Sequence, residues 1–154
     1  MWDWVIGFDC AEFLGHGTAI ACSAFMGEQA EALKERARRF ALATLRLIKH
    51  LPAEEPGPLI RRQLAKSATS VSMNYRATCR ARSHAEFTSK IGLVAEEADE
   101  SLGWLETIGD AELLTDLERL PKLKNLTREA DELAAIFSKS AGTARRNQRR
   151  KRSD

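Results

Sequence analysis

Cysteine, proline, glycine and aromatic side chains are all scarce in this 154-residue chain, and each scarcity excludes something. The three cysteines, Cys10, Cys22 and Cys79, are odd in number and widely spaced, so they define no disulfide framework and read as free thiols of a reducing compartment. No C-x-x-C pair is present, which leaves Cys10, His16 and Cys22 without the spacing of a zinc site. The three histidines, His16, His50 and His84, lie far apart in sequence. Ser83 and His84 are adjacent, and neighbours at a helix start point in different directions, so they make no dyad. There is no Walker loop, no dinucleotide fingerprint and no Glu-x-x-His of a di-iron bundle. These absences point away from an enzyme, a cofactor, a metal or a small-molecule substrate. Apart from a weak N-terminal candidate, no run of 18 uncharged apolar residues suggests a membrane span. That segment, Met1–Phe25, carries Asp3, Asp9 and Glu12 and lacks a basic start, which makes it a poor signal peptide. It shows no clean helical stripe either, and two readings stay open: an extension dispensable for the fold, from an upstream start ahead of Met26, or an apolar arm that docks on a partner. A cytoplasmic location follows from this reading.

What is present is helical periodicity. The expected first helix runs from about Glu28 to His50, with Leu33, Ala37, Phe40, Ala41, Thr44, Leu47, Ile48 and Leu51 on one face, and Pro52 ends it. The second opens at Gly57-Pro58, glycine as N-cap and proline at the first helical position. Its stripe is Ile60, Leu64, Ser67/Ala68, Val71 and Asn74/Tyr75, and the hydroxyl-rich centre suits close approach of a neighbouring helix. The third begins with a capping box, Ser83 to Glu86, continues through Phe87, Ile91, Val94, Ala98, Leu102, Leu105 and Ile108, and stops at Gly109. The fourth opens with a second box at Thr115–Glu118, bends or restarts at Pro121, and frays near Gly142. Four such helices on short links predict an all-α, antiparallel up-down four-helix bundle over residues 26–144, followed by a disordered basic tail, 145–154.

Several stretches then carry a resemblance. They are Leu33-Lys34-Glu35-Arg36 with Phe40-Ala41-Leu42, Gln63-Leu64 through Ser70-Val71, Asn74-Tyr75-Arg76, and Ala81 to Phe87 with Lys90-Ile91-Gly92. Glu97-Ala98-Asp99-Glu100, Trp104-Leu105-Glu106 and Glu129 to Leu133 complete the set. Together they resemble the four-helix-bundle proteins encoded in intervening sequences of bacterial 23S ribosomal RNA genes. They are also similar to the accessory proteins of diversity-generating retroelements, which bind RNA and a reverse transcriptase. The family usually follows Asn-Tyr-Arg with Glu-Ala, where this chain has Ala77-Thr78. The resemblance implies a cytoplasmic, non-enzymatic bundle that assembles into a ring, typically of five subunits.

Charge is unevenly spread. Residues 145–154 carry six basic and one acidic side chain, and the rest of the chain is mildly acidic. From Leu59 to Ala85 there are Arg61, Arg62, Lys66, Arg76, Arg80 and Arg82 and no acid, whereas Glu86 to Glu118 holds ten acids and one base, Lys90. Three readings stay open: solvated helix faces, a head-to-tail contact of basic and acidic faces that closes a ring, and binding of nucleic-acid phosphates. The expected nucleic-acid residues are those six and Arg145, Arg146, Arg149, Arg150, Lys151 and Arg152; Asn74, Tyr75, Glu97, Glu100 and Trp104 are the expected oligomer contacts. The partners expected are copies of the chain itself and RNA or a ribonucleoprotein. A purely structural assembly module without nucleic-acid binding is the alternative.

Overall fold

In the computed structural model of the chain, the backbone is described for residues 19–153 and side-chain burial for residues 27–150. Residues 1–18 of the predicted extension lie outside these bounds, whereas Ala19–Phe25 are helical, so the first helix begins well before the expected Glu28. Among the described residues all regular structure is helical: α1 (Ala19–Leu47), a 3-10 turn (Ile48–His50), α2 (Gly57–Thr78), α3 (His84–Asp110) and α4 (Leu120–Ser153). Each helix packs on the next, and α1 also packs on α4, which closes the antiparallel square. Phe40, Ile91 and Leu133, the residues that must be inside if the stripes were read correctly, are 2%, 0% and 0% exposed. Tyr75 and Phe137 centre the core, with ring centroids 5.0 Å apart and planes tilted by 49°.

The links explain where the helices stop. Leu51, before Pro52, adopts φ −69° and ψ 152°, the extended conformation that a following proline imposes. The Glu55–Pro56 bond is cis. Gly57 is the first residue of α2, with Pro56 before it as the cap and Pro58 inside the first turn. Its glycine is required for a different reason than capping: a Cβ there would lie 2.0 Å from the Pro52 carbonyl oxygen. The hydroxyl-rich centre of α2 is helical because its side chains turn back on the helix, as in Thr69 Oγ1 to the Ala65 carbonyl at 2.7 Å. The small residues do allow a close crossing, and the buried hydroxyls of Ser67 and Ser101 meet at 2.9 Å between α2 and α3.

The Ser83 cap forms as predicted, accepting from the Glu86 N–H at 3.1 Å. Glu86 reaches back one residue further than a capping box requires, to the Arg82 N–H at 2.9 Å. The predicted stop at Gly109 is displaced. Helix α3 runs through Asp110, and Glu112 takes the left-handed conformation at φ 50°. The Leu113 N–H then bonds the Ile108 carbonyl and the Glu112 N–H the Gly109 carbonyl, the Schellman pattern.

The second predicted capping box is absent. Asp116, not Thr115, organises the turn, accepting from the Glu118 N–H at 2.9 Å and from Arg119 Nε at 3.0 Å. Helix α4 therefore starts at Leu120, which places Pro121 in the first turn, where its missing N–H costs nothing, and no bend is needed. At the other end Gly142 does not fray the helix, and residues 145–153, expected as a disordered tail, continue α4. Three local causes are visible. Ala141 and Ala144 are buried. His84 Nε2 lies 3.0 Å from the Ala144 carbonyl. The arginines and lysine are good helix formers, and their charge suits a helix C-terminus.

Candidate nucleic-acid interface

An up-down bundle gathers the end of α2, the start of α3 and the end of α4 at one pole. Arg76 comes from the end of α2, Arg80 and Arg82 from the link that follows it, and Arg145, Arg146, Arg149 and Arg150 from the end of α4. His84 on Ala144 ties the two together. The Arg145 guanidinium lies over Gly92, where the lack of a side chain leaves it room; a Cβ there would stand 3.2 Å from it. Arg146 donates to Thr143 Oγ1 at 3.0 Å, and Arg82, 90% exposed in its side chain, has Nε 3.6 Å from Glu86. The side chains of Lys151 and Arg152 lie outside the described residues.

Arg62, Lys66, Met73, Arg76 and Arg80 follow one another at helical spacing along the outer side of α2, and Arg62, Lys66, Arg76 and Arg80 are exposed. Arg61 does not belong with them. It points back to the end of α1, donating to the carbonyls of Ile48 at 3.1 Å, Leu51 at 2.9 Å and Pro52 at 3.2 Å. Its charge caps a helix terminus, so it is withdrawn from the expected phosphate contacts.

The expected oligomer contacts divide as well. Tyr75 is wholly buried inside its own chain and is no interface residue. Burial, then the Cys79 thiol beside it, raise its hydroxyl well above the usual range, and burial likewise raises Cys79. Asn74 and Trp104 are half-buried and Glu100 is exposed, its carboxylate 3.2 Å from Trp104 Nε1. Glu97 faces Lys66 and Ser70 across the α2–α3 seam. Met73 and Leu93, 66% and 49% exposed, stand on the outer sides of the same two helices, uncovered by the described residues.

Glu97 Oε2 is buried without a hydrogen-bond partner among the described residues. Burial first, then the Glu100 charge, raise the Glu97 carboxyl above the ordinary glutamate value, with Lys66 opposing. A carboxyl whose folded pKa is raised destabilises the fold above that pKa, and the penalty fades as pH falls to the unfolded value. Glu97→Gln is therefore expected to raise the melting temperature at neutral pH, with the gain vanishing near pH ~4. Melting curves of both proteins across this range check it; a constant gain would assign the effect to something other than the charge.

Two features were not anticipated from the sequence. Arg36 on α1 donates to Glu129 on α4 at 2.7 Å and 2.9 Å and also pairs with Glu132, tying the two helices that are most distant in sequence. These carboxylates raise its already high pKa. Cys79, a buried free thiol, sits one turn from Tyr75, a four-residue spacing that could have been read. Among the described residues no group of three or more His, Cys, Asp and Glu could hold a metal, and no helix is long and apolar enough to cross a membrane.

The profile of the 23S rRNA-intervening sequence proteins matches residues 30–139. The chain belongs to the 23S rRNA-intervening sequence protein family. The match spans the four-helix body and leaves out the cationic end of α4. The fold is also similar to a crystal structure of a protein with unknown function from the S23 ribosomal protein family of Bacteroides thetaiotaomicron. That similarity has a TM-score of 0.63 at 24% identity and covers 73% of this chain and 97% of that one. No match is found among curated proteins.

Proposed function

We propose that this 23S rRNA-intervening sequence protein is a non-enzymatic, cytoplasmic homo-oligomer that binds RNA, or a ribonucleoprotein, through the cationic pole of its bundle. The observation that carries this reading is the continuation of α4 as helix. It sets Arg145, Arg146, Arg149 and Arg150 on a defined scaffold at the same pole as Arg76, Arg80 and Arg82. Cations held on helices rather than on a free chain lose less entropy when they engage phosphates. Met73 and Leu93, with Asn74 on α2 and Glu97, Glu100 and Trp104 further along α3, supply the contact between copies, and a head-to-tail contact there closes a ring of five.

The test is a salt titration of single-stranded RNA binding by the wild-type protein and by a variant with Arg145, Arg146, Arg149 and Arg150 changed to Gln. Each phosphate contact contributes about −0.7 to the slope of log K against log salt, so loss of four contacts is expected to flatten it by about 3. Equal slopes would overturn the cationic pole as the binding surface. Light scattering checks the assembly, and Met73→Glu with Leu93→Glu is expected to yield monomers; a monomeric wild type would reject the ring.

A second reading, assembly without nucleic acid, is favoured by ion pairing inside the chain: Arg82 and Lys90 both approach Glu86. Absence of RNA binding at low salt, with oligomers intact, would select it.

A further inference from the structure

At the opposite pole, the end of α1 and the start of α4 flank a groove of about 450 Å³ that neither the family resemblance nor the RNA-binding reading uses. Its walls are Arg46 and His50 from α1's end and Arg119, Lys122 and Asn125 from α4's start; Ala43, Leu47 and Leu126 form an apolar floor. No carboxylate is among its lining residues. Asp116, outside the lining, holds Arg119 through Nε at 3.0 Å, and the Glu118 N–H first, then Arg119, lower its carboxyl below the usual range.

The charges on the two walls have different standing. Basic groups at the end of α1 suit a helix C-terminus. At the start of α4 the opposite holds: the first turn has no acid and instead carries Lys122, at the positive end of a 34-residue helix. Facing it across the groove is Arg46, with the His50 imidazole also in the wall, so two permanent cations converge beside the positive end of α4. Arg61 is not among the lining residues and is turned onto the carbonyls of Ile48, Leu51 and Pro52, in the turn and link that follow α1, where it offsets their negative ends.

We propose that this groove is a phosphate-binding seat, with Arg46, Arg119 and Lys122 as charged donors, Asn125 as a neutral one, and the apolar floor beneath the group that carries the phosphate. Guanidinium forks match phosphate oxygens two at a time, and the volume lies within the range of small-molecule pockets, larger than a lone anion needs. The ligand is a phosphomonoester or a pyrophosphate, which offers more charge per contact than a carboxylate. Its source is either the phosphorylated end of an RNA or a small phosphorylated solute. The seat does not depend on RNA binding at the other pole.

Calorimetric titration of the full-length protein with inorganic pyrophosphate at low salt tests it. Wild type and the Arg145→Gln/Arg149→Gln variant are expected to bind equally. Arg46→Gln/Lys122→Gln is expected to bind at least tenfold more weakly. Both substituted side chains are exposed, and the melting temperature of the double variant reports whether the fold is kept. Pyrophosphate is expected to raise the melting temperature of the wild type and not that of the double variant. Competition then separates the sources. Displacement by a 5′-phosphorylated oligoribonucleotide, and not by its 5′-hydroxyl counterpart, assigns the seat to an RNA end. Failure of both to displace pyrophosphate assigns it to a small solute. No binding of millimolar pyrophosphate by the wild type, or equal binding by Arg46→Gln/Lys122→Gln, overturns the seat, and does so whatever the salt titration of RNA shows.

Discussion

Replacing Phe137 with alanine is expected to cost about 3–5 kcal/mol and to lower the melting temperature by about 10 °C or more. Phe137 is fully buried, and its ring packs against Tyr75 at the centre of the bundle, where α2 and α4 meet across the core. Backbones of four packed helices cannot close over a hole of that size, so both the transfer and the cavity penalties apply. Tyr75→Phe is the informative partner. Among the described residues the Tyr75 hydroxyl is buried without a hydrogen-bond partner of ordinary strength, and the Cys79 thiol beside it is a weak one. Its removal is expected to leave stability unchanged or raise it by about 1 kcal/mol. Denaturant or thermal melts of both variants check the pair. A large loss in Tyr75→Phe would mean that the hydroxyl has a bonded partner, and a small loss in Phe137→Ala would mean that the core is looser than described.

Gly57→Ala is expected to destabilise by about 3 kcal/mol, or about 6–12 °C, although alanine is the better helix former. The added carbon would meet the carbonyl oxygen of Pro52 at 2.0 Å and its carbonyl carbon at 2.9 Å. These are backbone atoms, so no rotamer change relieves the clash. The 51–56 link would have to move, and with it the carbonyls that Arg61 caps. Gly103 is the control. It lies exposed in α3 with nothing within 4 Å of an added Cβ. There the substitution is expected to stabilise by up to about 1 kcal/mol, the ordinary helical preference of alanine over glycine. Equal effects at the two sites would show that the close approach at Pro52 does not govern the link.

The apolar stripes were legible because a bundle asks little else of its core: Phe40, Leu64, Ile91 and Leu133 recur at helical spacing and are all inside. Helix ends were less legible, since several residues near each end could stop it. Gly109 and Thr115 carried the usual signals, yet the stop moved to Glu112 and the start to Leu120. The Leu113 N–H found the Ile108 carbonyl, and Asp116 closed the turn that precedes Pro121. The candidate site was legible in composition and not in geometry. A list of arginines does not reveal that Arg61 points to carbonyls while Arg62, next to it, faces water. Tyr75 stands in the sequence both on the inner stripe of α2 and among the expected oligomer contacts, and its packing on Phe137 decides for the stripe. The groove of Arg46, His50, Arg119 and Lys122 was invisible from the sequence, since its halves are about seventy residues apart and only the antiparallel return of α4 brings them together.

Helix α4 has 34 residues and α3 has 27, so at ~1.5 Å per residue α4 is the longer by roughly 10 Å. The surplus lies beyond Ala144, and none of residues 145–150 is buried. Amide protons there exchange soonest, because opening those turns exposes almost no apolar surface. The segment with the strongest pull on an anionic polymer is thus also the segment that unravels most cheaply. An RNA that engages it would be read as slowed exchange confined to the last turns, with the body of the protein unchanged.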